Sequence, residues 1–145
     1  MSKLEQLIEE LCPDGVEYMI LGDMCEISSA GVDKKIVVGE PSVKLLNYMD
    51  VYRNRNITQD ILTMQVTAPI SKLKNCNIEK GDVFITPTSE TIEDIGHASV
   101  AMETIDGGVY SYHLMRLRLK ELNMVTAFYM SYVFSSSALR IQILK

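Results

Sequence analysis

Arg53-Asn54-Arg55-Asn56 sets guanidinium and carboxamide side chains in a row, and the chemistry they offer is base reading. A guanidinium presents two parallel N–H donors that fit guanine O6 and N7, and a carboxamide pairs a donor with an acceptor that fit adenine N6 and N7 in the major groove. A solvated turn is the competing account of the same residues. Tyr48 and Tyr52 precede the run and can hold it in place. A second polar segment, Thr88-Ser89-Glu90-Thr91-Ile92-Glu93-Asp94-Ile95-Gly96, is dense in short hydrogen-bonding side chains and closes on a glycine. It reads as a structured loop, and loops on a strand scaffold carry binding groups, although most are only connections.

Catalytic patterns are missing from the sequence. It has no G-x-S-x-G, H-E-x-x-H, Walker A or Rossmann glycine motif. Nothing in the spacing of Ser89, Asp94 and His97 orients the histidine as a triad would require. Glu90, Glu93 and Asp94 lack EF-hand spacing and read as a solvated acidic turn. No catalytic residue, metal ligand or cofactor is therefore expected. His113 and His97 are candidates for contact with DNA beside a purely structural reading. Three cysteines, Cys12, Cys25 and Cys76, with no C-x-x-C pair, imply neither a disulfide framework nor a zinc site.

Charge is uneven along the chain. The net charge of −5 opposes nucleic-acid binding, which ordinarily calls for a basic surface. Yet Lys34, Lys35, Lys44, Arg53 and Arg55 meet only Glu40 and Asp50 between residues 34 and 56, a net +3. Residues 1–26 carry Lys3 against seven carboxylates, a net −6. The acid is concentrated at one end and the middle is mildly basic, so the lysines and arginines there are candidates for phosphate and base contact. No apolar run spans a bilayer and no signal-peptide pattern opens the chain, so a cytoplasmic protein without membrane contact is expected.

The elements that must position these residues follow from periodicity. Ser2 with Glu5 fits a capping box, and Leu4, Leu7, Ile8 and Leu11 repeat at helical spacing, predicting an amphipathic helix within residues 1–12. Val16–Leu21 reads as a strand or extended segment, and Gly22-Asp23 as the start of one helical turn through Ile27. Ile36-Val37-Val38, stopped by Gly39-Glu40-Pro41, predicts a hairpin or an edge strand. Val43–Tyr52 has period-2 order and predicts a strand leading into the polar tip at 53–56. Ile57–Gln65 is open between a helical turn and a loop, and Gln65–Ala68 looks extended up to Pro69. Val83–Thr86 rises from the turn Lys80-Gly81-Asp82 as a buried strand and stops at Pro87. Asp106-Gly107-Gly108 predicts a hairpin joining Ala98–Ile105 to Val109–Leu119. In the second of these, Met115, Leu117 and Leu119 alternate with Arg116, Arg118 and Lys120, giving a half-buried strand with a cationic outer face. Val125–Phe134 and Ala138–Lys145, separated by three serines, predict C-terminal helices over residues 125–145, with Leu139, Ile143 and Leu144 turned inward.

Several stretches, in this order, resemble target-recognition domains of type I restriction-modification specificity subunits. They are Leu11-Cys12-Pro13-Asp14-Gly15-Val16-Glu17-Tyr18 with Leu21-Gly22-Asp23, then Asn47-Tyr48-Met49-Asp50-Val51-Tyr52, then Gly81-Asp82 with Thr86-Pro87-Thr88-Ser89-Glu90-Thr91 and Asp94-Ile95-Gly96. Tyr132, Phe134, Ser136, Arg140, Gln142 and Ile143 resemble the family's C-terminal helix motif. The resemblance implies a non-catalytic protein that reads one half of a split double-stranded DNA target. Methyl transfer and ATP-driven translocation would belong to methyltransferase (M) and restriction (R) partner subunits. Carried over by residue, it singles out Asn47, Tyr48 and Asp50 with Thr86, Thr88, Ser89, Glu90 and Thr91. The family pattern continues past Gln142-Ile143 into a closing strand and a long spacer helix, so residues 1–145 are expected to form a single, incomplete recognition domain. Its expected fold is α+β (mixed α/β), a twisted antiparallel or barrel-like sheet with helices at the N- and C-terminal ends. The DNA-contacting set is expected to be Lys34, Lys35, Lys44, Asn47, Tyr48, Arg53, Asn54, Arg55, Thr88, Ser89, Thr91 and His113. The alternative is an interaction fragment that self-associates or binds the methyltransferase subunit through Leu4/Leu7/Ile8/Leu11 or Phe128/Tyr132.

Overall fold

The structure, a computed structural model, describes residues 1–121 and 125–145. The chain runs α1 (Lys3–Leu11), α2 (Leu21–Met24), β1 (Cys25–Ser28), β2 (Ser42–Leu46), α3 (Tyr48–Arg53), β3 (Asn56–Ile57), β4 (Met64–Thr67), α4 (Ile70–Asn75), β5 (Asn77–Ile78), β6 (Val83–Ile85), β7 (Ala98–Ala101), β8 (Ile105–Tyr110), β9 (Met115–Leu119), α5 (Ala127–Ser135) and α6 (Ser137–Ile143). The strands form two open sheets, in the orders β1-β9-β6-β7-β3 and β4-β2-β8-β5. Each is antiparallel except for one parallel pair, β3 with β7 and β2 with β8. This is the mixed α+β class expected from the sequence, with helices at both ends of the chain and no closed barrel among the described residues.

Val83, Phe84 and Ile85 are all buried, so β6 must be covered on both faces. Successive strand residues point to opposite sides. Phe84 packs toward the second sheet with Leu45, Val109 and Tyr110, its ring 5.4 Å from that of Tyr110. Val83 and Ile85 face the other way, into a cluster with Cys25, Leu117 and Met130 of α5. The five-stranded sheet is thus the middle layer, with the four-stranded sheet on one side and α2 and α5 on the other.

The same layering corrects the expected cationic outer face of β9. Arg116 pairs in register with Phe84 and so shares its inter-sheet face. It is 2% exposed, donates from Nη1 to the Asn77 backbone oxygen at 2.8 Å, and lies over the Tyr110 ring. Arg118 forks onto buried Asp82 through Nε at 2.7 Å and Nη2 at 2.8 Å, which raises the arginine pKa further. Alternation correctly groups these residues on one face, but both faces of the strand are covered. The buried Arg116 guanidinium is partly satisfied: Nη1 donates to the backbone and side-chain oxygens of Asn77, Nη2 lies 3.5 Å from the Glu26 carboxylate, and Nε has no partner among the described residues.

Four other expectations are corrected. Ile36-Val37-Val38 forms no strand; Val38 is fully exposed, and the segment is tied to β4 through Val37 N donating to Thr67 Oγ1, with Thr67 N donating to the preceding Lys35 O. The helical turn near Gly22 ends at Met24, and Cys25–Ile27 belongs to β1, paired with β9. The strand predicted over Val43–Tyr52 ends at Leu46, where a helix begins. Asp106-Gly107-Gly108 makes no hairpin, because β7 and β8 lie in different sheets. The triplet sits inside β8 as a bulge opposite the step from Asn77 to Ile78, with Gly107 at φ +69°. A positive-φ glycine serves a bulge as well as a turn, which is why the sequence misleads here. Helix α1 forms as expected, with both capping-box bonds, but its Leu4/Leu7/Ile8/Leu11 stripe stays exposed.

Candidate nucleic-acid interface

Helix α3 begins where β2 stops because Asn47 caps it. The Asn47 side-chain oxygen accepts from the Asp50 backbone N–H at 3.1 Å, and the Asp50 carboxylate accepts from the Asn47 N–H at 2.9 Å. Two otherwise unpaired donors are satisfied reciprocally. Burial pushes the Asp50 carboxyl pKa up, and the Asn47 N–H, Lys34 and Arg53 oppose that shift. Replacing Asn47 with alanine is expected to cost about 1 kcal/mol. Urea unfolding checks this, and an unchanged midpoint would contradict the capping role.

The cap sets the direction of α3. Val51 enters the core, while Tyr48 and Tyr52, one turn apart, stack with ring centroids 6.2 Å apart. Both hydroxyls reach across to the polar loop after β6. Tyr52 donates to Asp94 Oδ1 at 2.9 Å and Tyr48 to the Asp94 backbone oxygen at 3.3 Å. Thr86 Oγ1 donates to that same backbone oxygen at 2.9 Å, and Thr91 Oγ1 donates to Asp94 Oδ2. Asp94 ends a 3-10 turn over Ile92–Asp94 and is the point at which helix and loop are joined. The Tyr52 ring also packs against His97, centroids 4.5 Å apart.

The bonds from Thr91 and Tyr52 hold the Asp94 carboxyl below its ordinary value of 3.8 and raise the Tyr52 phenol. The folded loop therefore favours the carboxylate. Its contribution is complete above the unfolded value and is lost as pH falls through the depressed folded value. The loop is expected to hold from neutral pH down to about pH 4 and to loosen below it. An NMR pH titration of the Gly96 amide reads this directly; the acid-limb change should vanish in Asp94→Asn, and its persistence there would exclude Asp94 as the source.

The tip is fixed from the other side by β7. Buried Ser99 donates to the Val51 backbone oxygen at 2.9 Å and also contacts that of Asn54, while Val100 N donates to Arg55 O at 2.9 Å. Asn54 spends its amide on the Asp50 backbone oxygen at 2.8 Å. Arg53 is exposed in the last turn of α3, and Arg55 stacks over Tyr132 of α5 with its guanidinium carbon 4.4 Å from the ring centroid. Tyr52, Arg53, Asn54, Arg55, His97 and Ser135 border a shallow concavity of about 220 Å³.

The expected site residues divide into those joined here and those apart. Tyr48, Arg53, Asn54 and Arg55 lie on α3 and the tip, and Thr88, Ser89 and Thr91 on the facing loop, where Thr88 is exposed and Ser89 Oγ accepts from Thr91 N at 3.4 Å. Val32, β2 and β8 run parallel and finish at one edge, so Lys34, Asn47 and His113 leave the second sheet on the same side. His113 rests against Tyr112, ring centroids 3.9 Å apart, and Lys35 pairs with Asp33 at 3.4 Å. Lys44 lies within β2, in register with Gln65 and Gly108, back from that edge. Asp94, Ser99 and Tyr132 were not among the expected site residues. Thr91 and Asp94 at i, i+3 were the available signal for the first.

No protein-family model matches this sequence, and no curated protein matches it. Solved structures do. A chain from a type I R-M system, in a structure concerned with complex assembly and conformational transition, superposes with a TM-score of 0.56 at 16% identity, over 99% of this chain and 35% of the other. The HsdS subunit from Thermoanaerobacter tengcongensis superposes with a TM-score of 0.54 at 14% identity, over 97% and 33%. The fold is like that of a target-recognition domain of an HsdS subunit. This chain spans about a third of the length of either matched chain. Within the HsdS-like fold, the described residues contain no cluster of three or more His, Cys, Asp or Glu side chains suited to a metal, and no helix long and apolar enough to cross a membrane.

Proposed function

We propose that this chain reads double-stranded DNA sequence-specifically, as part of the specificity subunit of a type I restriction-modification system. It would recognise one half of a bipartite target, do no chemistry itself, and direct methyltransferase and restriction subunits that supply the catalysis. The observation that carries this reading is the junction at Asp94: it sets the cationic tip 53–56 and the Thr/Ser-rich loop 88–91 side by side on an HsdS-like scaffold.

Roles within that surface follow from which groups are already used. Asn47 spends an acceptor position and Asn54 a donor inside α3, which ties each carboxamide to the helix backbone. They act as positioning residues. Arg53 and Arg55 have no hydrogen-bond acceptor among the described residues and are assigned to base edges, while Lys34, Lys35 and Lys44 are assigned to phosphates. Thr88, Ser89 and Thr91 lie on the loop that Asp94 joins to α3, and His113 leaves the second sheet on the same side as Lys34 and Asn47. The acidic N-terminal region, residues 1–26, is separate in sequence from this basic middle.

The test is selection of retained duplexes from a random pool by the 145-residue protein, at low and moderate salt. An enriched short motif surviving moderate salt is expected. Weak retention that salt abolishes, with no motif, would overturn the reading, since non-specific binding is the part that rests on counterion release.

A second reading is favoured by one observation, the exposed stripe Leu4/Leu7/Ile8/Leu11 on an otherwise acidic helix. An apolar stripe of this kind is a helix-in-groove ligand for a partner. In that reading the chain self-associates or binds the methyltransferase subunit. Size-exclusion chromatography with light scattering, with and without that subunit, separates the cases: a strict monomer indifferent to the partner excludes it.

A further inference from the structure

We infer that Arg140, on the C-terminal helix α6, is a positioning residue that locks the loop 88–96 in its reading conformation. The inference rests on the DNA-reading proposal for that loop.

The two carbonyls that frame the end of the 3-10 turn, Glu93 O and Ile95 O, are acceptors of the kind a helix end leaves without a partner. Both are taken by one side chain from 45 residues and more away in sequence: Arg140 Nη1 donates to Ile95 O at 2.8 Å and Nη2 to Glu93 O at 2.7 Å. The planar fork meets the two acceptors from two separate nitrogens held in a fixed geometry, whereas an ammonium would have to serve both from one nitrogen on a flexible stem. The guanidinium also lies close enough to Asp94 to favour its carboxylate form, the form that receives Tyr52 and Thr91.

Steric fit at the next residue points the same way. Gly96 has φ +82°, and a Cβ there would sit 3.0 Å from Ile143 Cδ1 and 3.7 Å from Arg140 Nη1. The loop thus passes directly beneath α6, at a position that only glycine occupies without strain. Since Arg55 leans on Tyr132 of the adjoining α5, both reading segments are held by the C-terminal helix pair. Helix α6 itself is started by Ser136, whose side chain accepts from Leu139 N. The consequence is a mechanical link: displacement of α6 releases the loop without touching any group assigned to DNA.

The experiment compares wild type, R140A and R140K by amide hydrogen exchange of the DNA-free 145-residue protein and by binding to selected and scrambled duplexes. In R140A, exchange at Asp94, Ile95 and Gly96 is expected to rise about tenfold or more, while amides of β6 and β9 stay protected. Affinity for the selected duplex should fall about tenfold, and affinity for the scrambled duplex should stay within about twofold. R140K should behave as R140A, since it keeps the charge and loses the fork. Unchanged loop protection in R140A overturns the inference. So does an equal loss on both duplexes that R140K restores, which would mark Arg140 as a phosphate contact. If R140A fails to fold, R140K carries the same readouts. If wild type selects no motif, the DNA-reading proposal fails, while the exchange measurement still decides whether Arg140 positions the loop.

Discussion

Phe84→Ala is expected to destabilise the fold by about 3–5 kcal/mol, a larger stability effect than removal of any cap or surface side chain of the molecule. Phe84 is completely buried at the point where the two sheets meet, with its ring tilted against Tyr110. Truncation forfeits the transfer free energy of the ring and leaves a cavity that two flanking sheets cannot collapse to fill. The loss approaches the whole stability of an ordinary domain, about 5–15 kcal/mol. Urea unfolding followed by circular dichroism measures it. Phe84→Leu, which keeps most of the volume, should cost far less, and equal costs for the two would mean that the packing between the sheets is not what holds them. Because β6 leads directly into Thr86 and the polar loop, Phe84→Ala should also weaken any function of that loop through partial unfolding, whereas Phe84→Leu should spare it.

Much of this arrangement is legible in the residues, and the illegible part has a common cause. The helix over Leu4, Leu7, Ile8 and Leu11 is written in its spacing and in the Ser2/Glu5 box, and both are local. The serines at 135–137 mark the break between α5 and α6 for the same reason, since Ser136 caps the second helix. Alternation in β9 groups Arg116 with Arg118 correctly, but a period of two says which residues share a face and nothing about what covers it. Only the register with β6 shows that a second sheet lies over the arginines. Asn47 and Asp50 were a readable cap, hidden because Val43 to Val51 also alternates as a strand does. The candidate site divides in the same way. Its two polar segments stand out individually, yet the bond from Tyr52 to Asp94 that unites them spans 42 residues, and the bonds from Arg140 that hold the loop to α6 span 45 and 47. No local pattern reaches that far, and so Asp94 reads from sequence as a solvated turn when it is the hinge of the surface.

The double substitution Arg53→Ala with Arg55→Ala is expected to weaken specific DNA binding by about 1–3 kcal/mol for each bidentate pairing with a base that it removes. Both side chains are exposed, and the stacking of Arg55 on Tyr132 at the surface contributes only about 0.5–1 kcal/mol, so the fold should be nearly indifferent to their removal. Binding, not stability, is therefore the readout, taken as affinity for the selected duplex against a scrambled one across a salt series. A phosphate role and a base role separate cleanly there. Removing groups that hold phosphates weakens both duplexes alike and flattens the salt dependence, whereas removing groups that hold bases weakens the selected duplex and erases the preference. Arg53→Lys with Arg55→Lys sharpens the distinction, because lysine keeps the charge for phosphate but cannot make two parallel bonds to guanine. If the lysine pair retains both affinity and preference, the arginines hold the backbone and the bases are read from the Thr88–Thr91 side. If it keeps the affinity for scrambled DNA and loses the preference, the tip at 53–56 is the reading head. Unchanged affinity and preference in the alanine pair would remove the tip from the interface altogether.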